Sequence, residues 1–370
     1  MKGQPYSGFV FARQRPRERW VAVISSTEPR LIVATGGIGS GITLALNGNA
    51  TLGREESRAA VLLESRDYCK LHIVSHYLQT LLGRDFPIIP VGKVGADAAG
   101  PILLDDMRQI GLDLRHVKVV TGKTTLFAVC YIYPNGDGGN LTTQRSASDD
   151  VSLEDIRALE DELEGVGSAG IALALPEVPL ESRAELLRLA TQAGFLRVAA
   201  FVTGEAPAVL SSGMLESVDL LALNLDEARA FASIPPSVES APEIVHRSME
   251  GLLLQNDHLS LVITAGRHGS WTWDGESLQH TPAPEVAVLS TAGAGDAHLA
   301  GVVAALAHGV GLHDANRFAS IISAMKVGSV HTINQEITAA TVLEAARNFG
   351  ILIPNHMQQR LNEVAAERLD

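Results

Sequence analysis

Residues 290–296 read Ser290-Thr291-Ala292-Gly293-Ala294-Gly295-Asp296, and an apolar run from Ala297 to His308 follows at once. Small residues let backbone amides converge on an anion, and a helix opening here adds the positive end of its dipole. Asp296 stands in the first turn of that helix, where the dipole favours a carboxylate. Such a base can take the proton of an alcohol while the amides hold the phosphoryl group being transferred. Phosphoryl transfer needs chiefly positioning and charge neutralisation, so one base, one amide cradle and one metal suffice. Taken alone, the stretch reads equally as a tight strand-to-helix turn capped by Asp296.

Outward from this junction the chain alternates two patterns. The runs 31–35, 88–91, 171–175, 198–202, 220–223 and 261–264 are nearly continuous in apolar character. Strands buried on both faces of a parallel sheet look this way. The stretches 98–110, 181–193, 226–232 and 242–254 carry helical spacing, and everything from Asp296 on reads as helix. The alternation predicts an α/β fold, a doubly wound and mostly parallel sheet flanked by helices. Two hairpins break the rhythm. Runs 42–46 and 59–63 flank a polar loop, and runs 123–133 and 140–144 flank a turn carrying Asn135-Gly136 and Asp137-Gly138, pairs that tolerate positive φ. Both are read as a small β-strand lid, from about 41–66 and 119–146, over the sheet edge where α/β folds bind ligands. Residues 1–30 are read as an N-terminal extension, 31–355 as the main domain and 356–370 as a C-terminal helix.

A formal net charge of −13 argues against a nucleic-acid surface. The basic run Arg13, Arg15, Arg17, Arg19 is read as a solvated part of the extension. Two cysteines, Cys69 and Cys130, have neither disulfide-framework nor metal-type spacing and fit a reducing compartment. No apolar stretch approaches the ~20 residues of a membrane span, and the N-terminus lacks a signal-peptide core. A cytoplasmic protein is expected.

Five motifs, in order over about residues 31–330, resemble the ribokinase-like (PfkB) carbohydrate kinases. The family's VGxVGxDxxG stands at residues 91–100, followed by Gly111-Leu112. Its E-x-P is Glu177-Val178-Pro179, its NxxE is Asn224-Leu225-Asp226-Glu227, and its TxGxxG is Thr264-Ala265-Gly266-Arg267-His268-Gly269. Its DTxGAGD is residues 290–296. The resemblance implies a kinase that moves the γ-phosphoryl of ATP, with Mg²⁺, to a hydroxyl of a sugar-like small molecule. It implies Asp296 as base and the amides of Gly293, Ala294 and Gly295 as anion hole. Asn224 and Glu227 would order Mg²⁺ through water. Thr264, Gly266, Gly269 and Thr291 would shape the nucleotide site, and Glu177 would lie near the substrate. The family also implies homodimerisation through lid strands.

The chain departs from the family in three places. Ser290 replaces the first Asp of the loop motif. The Asp common shortly after the first strand is missing, since that region carries Gly36, Gly37, Gly39 and Gly41. The GGxxxN opening the first long helix is replaced by Asp67-Tyr68-Cys69-Lys70-Leu71-His72-Ile73. Other residues must therefore meet the acceptor: Gly39 and Gly41 at the mouth, with Lys70, His72, Arg54 and Arg58 as candidates for an anionic group. Alternatively Arg54, Glu55, Glu56 and Arg58 form a solvated helical turn and pair with each other. His72 and His76 have i,i+4 spacing but no third ligand nearby, so they are read as ordinary helix residues. A dinucleotide site at residues 36–41 is disfavoured because Ile42 to Leu46 read as strand. A nucleoside kinase and a weakly catalytic ligand-binding protein remain as alternative readings.

Overall fold

The structure, a computed structural model, describes residues 30–136 and 138–367. The arginine run and residues 1–29 of the expected extension lie outside them, as do the last three residues. The strands are β1 (Leu31–Thr35), β2 (Gly39–Leu46), β3 (Ala60–Tyr68), β4 (Ile88–Gly95), β5 (Val117–Val120), β6 (Leu126–Ile132), β7 (Gly138–Thr142), β8 (Gly170–Ala174), β9 (Leu196–Ala200), β10 (Leu220–Asn224), β11 (Ser260–Thr264), β12 (Ser270–Trp273) and β13 (Leu278–Thr281). The helices are α1 (Lys70–Leu82), α2 (Ala99–Gln109), α3 (Leu153–Arg157), α4 (Glu160–Val166), α5 (Leu180–Ala193), α6 (Ala206–Ser212), α7 (Leu225–Phe231), α8 (Ala241–Leu253), α9 (Ala294–Ala307), α10 (Leu312–Val327), α11 (Ala339–Phe349) and α12 (Asn355–Glu367).

Nine strands form one sheet in the order β13-β12-β11-β10-β9-β8-β1-β4-β5. It is parallel from β5 through β11 and ends in two antiparallel strands, β12 and β13. β1 and β8 are buried at every residue, which is why their sequences show no alternation. The pair β12–β13 was not foreseen, because its polar and aromatic residues mimic a loop. β5 overlaps the start of the range expected for the lid, but it pairs with β4 at the edge of the main sheet.

β2, β3, β6 and β7 form the separate lid sheet, in the order β3-β2-β6-β7. Both hairpins are antiparallel, and the central pair β2–β6 is parallel. The parallel pairing sends both hairpin tips the same way. There Asn135 donates its backbone N–H to Asn49, and Leu52 donates its own to the Tyr133 hydroxyl. One lid face carries Gly41, Thr43, Ala128 and Cys130, all buried. The other carries Ile42, Leu44 and Val129, with Phe127, Leu62 and Leu141 exposed.

α9 is the central helix of the largest core cluster, buried at every residue from Ala297 to Ala307. A helix apolar all round is stable only inside the protein. Gly301 lets α10 approach it, for a Cβ there would lie 2.8 Å from the Ala319 Cα. This close packing fixes where the N-terminus of α9 points.

Candidate active site

Gly293 adopts φ +76° and ends the loop before α9. A Cβ at this position would also lie 2.9 Å from the Thr332 carbonyl oxygen, so both conformation and space demand glycine. Gly295, by contrast, faces open space, with no atom within 4 Å of a built Cβ. First-turn amides of a helix have no partner within the helix and are free for an anion. Of the three amides expected in the anion hole, that of Ala294 already donates to the Thr291 carbonyl (3.1 Å). Thr291 is exposed, and its hydroxyl donates to the carbonyl of Gly136 at the lid tip (3.3 Å). The lid thus touches the loop directly.

Ser290 is fully buried. Its hydroxyl accepts the Ala292 amide (3.3 Å), and its carbonyl accepts from the ammonium of Lys326 (3.1 Å). Lys326, also fully buried, donates in addition to the Ser329 carbonyl (3.3 Å). Burial pushes its pKa down to about 8. The position that carries a carboxylate in the family motif is here a neutral hydroxyl beside a lysine, a relation invisible in the sequence.

Asp296 projects from the first turn of α9 to Lys70 at the first turn of α1, with Nζ and Oδ1 3.4 Å apart. The charge of Asp296 raises the Lys70 pKa above its usual value, with Glu177 and Glu227 adding to the effect. Glu177 stands at φ +76°, rare and strained for a residue with a side chain. Its Oε2 accepts the backbone N–H of Lys70 (3.1 Å), capping α1. Gly37 makes room, since a Cβ there would fall 2.5 Å from that of Glu177. Burial pushes the Glu177 carboxyl up to about 7 against the pull of Lys70. Four residues distant in sequence thereby share one electrostatic cluster: Lys70, Glu177, Glu227 and Asp296.

Asn224 and Glu227 form a reciprocal capping box on α7, each side chain meeting the other's amide at 2.8 Å. Burial pushes the Glu227 carboxyl up to about 7, again opposed by Lys70. Thr264 ends β11, and its hydroxyl reaches the Leu223 carbonyl (3.5 Å). Gly266 and Gly269 follow with φ +53° and +82°. At Gly269 a Cβ would meet the Thr281 carbonyl at 2.1 Å, so this turn lies flat against β13.

On the acceptor side the structure sets His72 apart from the cluster. Two residues beyond Lys70, a helix has rotated by about 200°, and His72 is buried against the Tyr68 ring at 4.4 Å. Burial holds its pKa well below the usual value, so it offers no positive charge. The charged insert is no helical turn. Arg58 binds Glu56 (2.5 Å) and the Ala50 carbonyl (2.7 Å) within the β2–β3 loop. Gly39 and Gly41 are explained by packing: a Cβ at either would lie 2.4 or 2.5 Å from the carbonyl oxygens of Leu126 and Ala128. Asp67, not singled out from the sequence, lies opposite Gly41 across the β2–β3 pair. The only sequence signal for it was the absence of a carboxylate elsewhere in the mouth. Among the described residues no three His, Cys, Asp or Glu side chains converge on a metal position, and no helix is long and apolar enough to cross a membrane.

The described fold has many relatives. A nucleoside kinase of Burkholderia thailandensis, solved in complex with inosine, matches with TM-score 0.68 at 20% identity over 86% of this chain and 98% of its own. The Arabidopsis thaliana ribokinase, solved with ribose and ATP, matches with TM-score 0.62 at 19% identity over 86% and 99%. In sequence the chain is 26% identical to a Schizosaccharomyces pombe ribokinase over 66% of this chain and 74% of that protein. It is also 26% identical to the bifunctional protein HldE of Methylobacillus flagellatus, over 74% of this chain and only 55% of that longer protein. The model of the pfkB family carbohydrate kinases matches residues 77–339, well over half of the chain. With the fold, the loop and this match in agreement, the chain belongs to the pfkB family of carbohydrate kinases.

Proposed function

We propose that this chain transfers the γ-phosphoryl group of ATP to a hydroxyl, of the hydroxymethyl kind, on a sugar or sugar-like molecule. The observation that carries this reading is Asp296 in the first turn of α9, beside a Gly293 that only a left-handed loop explains. Asp296 takes the proton of the acceptor hydroxyl as the oxygen attacks phosphorus. The amides of Gly293, Ala294 and Gly295 hold the transferred oxygens, Ala294 by releasing its turn bond to Thr291. Lys70 keeps the base oriented and adds positive charge where phosphate arrives. Thr264, Gly266, Gly269 and Thr291 border the nucleotide. Gly39, Gly41 and Glu177 frame the acceptor, while His72 acts only through packing.

Mg²⁺ fits the donors present. Asn224 and Glu227 bring a carboxylate and an amide to the cluster, too few to hold a metal alone and suited to an ion that keeps waters and phosphate oxygens. Bound there, Mg²⁺ would neutralise charge on the phosphates. The exposed apolar lid face with Leu62, Phe127 and Leu141 supports homodimerisation through the lid. The nucleoside alternative draws on the inosine-bound neighbour.

The test is release of ADP from Mg·ATP by the purified protein with ribose, inosine and a panel of sugars. Acceptor-dependent turnover that vanishes in Asp296→Asn is expected. No turnover with any acceptor would refute the reading, as would an Asp296→Asn variant with full activity.

A further inference from the structure

We propose that Asp67, delivered by lid strand β3, is the carboxylate that binds the acceptor's hydroxyl groups, and that the acceptor is a neutral polyol rather than an anion. This rests on the kinase reading above and names the substrate class of that same site.

Asp67 is 1% exposed, and its Oδ1 has no partner of good hydrogen-bond geometry among the described residues; besides Thr43, the carboxylate is met by the thiol of Cys130, a weak donor. Its Oδ2 accepts the Thr43 hydroxyl (3.0 Å), which locks the side chain on the inner face of the lid. A buried carboxylate oxygen without a strong donor is costly, and such a site calls for one from outside the chain. A hydroxyl of a bound polyol supplies one.

The placement agrees. Asp67 pairs with Gly41 across β2–β3, and a Cβ on Gly41 would lie 3.1 Å from the Cβ of Asp67. The mouth after β1 has no carboxylate of its own, and the neighbouring strand brings one to the same point of the lid. Three residues later the chain reaches Lys70, which holds Asp296. The charge of Asp67 is also felt at Cys69, Cys130 and Lys326, the last of which feels Asp296 as well. Asp67 and the base therefore lie within electrostatic reach of the same lysine, and the lid that carries Asp67 meets the loop of the base where Thr291 donates to the Gly136 carbonyl.

Charge decides the class of acceptor. Lys70 is paired with Asp296, and Lys326 donates to the Ser290 and Ser329 carbonyls and feels the charges of Asp67 and Asp296. Neither ammonium is left over for an anionic acceptor, whereas the hydroxyls of a neutral one donate to a carboxylate without added charge. Arg54 and Arg58 do not alter the balance, since Arg58 is spent on Glu56 and the Ala50 carbonyl and Arg54 is exposed in the same loop.

The experiment compares wild type, the isosteric Asp67→Asn and Thr43→Val, using ribose, fructose, inosine and gluconate as probes with Mg·ATP. Wild type is expected to use one of the neutral probes and to reject gluconate. Asp67→Asn is expected to raise the acceptor KM by about tenfold or more, the size of a lost charge-assisted hydrogen bond. Its affinity for Mg·ADP, measured by calorimetry, should stay within about twofold, which shows that the fold survives. Thr43→Val, which frees Oδ2 and leaves the charge, should give a smaller rise. An unchanged acceptor KM in Asp67→Asn, or a preference for gluconate, overturns the proposal while the kinase reading stands. If wild type transfers phosphate to none of the probes, the kinase reading fails separately. Binding of ribose and inosine in the presence of Mg·ADP then decides: loss of that binding in Asp67→Asn supports the proposal, and retention, or no binding by wild type, overturns it.

Discussion

The two walls of the site are built on opposite principles. The phosphate wall is one contiguous loop, residues 290–296, whose shape follows from Gly293 at φ +76° and from the buried helix behind it. The acceptor wall is assembled from the lid strands β2 and β3, the start of α1 and the strained Glu177, which meet only when the chain is folded. On the proposed reading, a local loop performs chemistry that does not depend on the acceptor. A composite wall can change its acceptor by exchanging one strand residue for another, as the proposed role of Asp67 opposite Gly41 would do.

The largest effect should come from the phosphate wall. Asp296→Asn is expected to lower kcat by about 10²–10⁴-fold, the usual worth of a general base, with an unchanged circular dichroism spectrum. Activity within tenfold of wild type would mean the two walls do not divide labour as described. Within the same loop, Gly293→Ala should destabilise by about 1–3 kcal/mol through its left-handed backbone and the nearby Thr332 carbonyl. Gly295→Ala should leave the denaturation midpoint unchanged, because its Cβ meets open space. Urea unfolding of the two variants separates packing from anion binding. Lys326→Met strips the donor from the Ser290 and Ser329 carbonyls, and a loss of about 1–3 kcal/mol is expected in the same assay.

On the acceptor wall the effects are smaller and depend on pH. The Glu177 carboxyl sits near 7 in the folded protein, against about 4.3 in an unfolded chain. Between these values the folded state binds more protons, so Glu177 contributes stability at low pH that fades as pH rises through the window. Glu177→Gln should therefore flatten part of the decline in melting temperature from pH 4.5 to 7, and an identical slope would contradict its buried position. The smallest effect is expected for Arg58→Ala. Its partners lie in its own loop, so neither the acceptor KM nor the melting temperature should move measurably, and a raised KM would return the charged insert to the site.

The strands at 31–35 and 261–264 were legible because continuous burial leaves a continuous apolar run, and the helices because their stripes repeat. Gly293 was legible because φ > 0 and close approach exclude other residues. β12 and β13 escaped notice because an edge hairpin with one polar face carries no such run. His72 was misjudged because adjacency to Lys70 in sequence says nothing about which side of α1 each faces.

Sequence by itself determined the α/β class, the two lid hairpins and the glycine turn that opens α9 with Asp296 in its first turn, since each depends on local conformation or on the period of burial. Only the tertiary structure decided that Lys326 answers Ser290, that Lys70 holds Asp296 across 226 residues, and that Asp67 stands opposite Gly41. These are contacts between separate elements, set by strand register and helix packing, and no spacing along the chain encodes them.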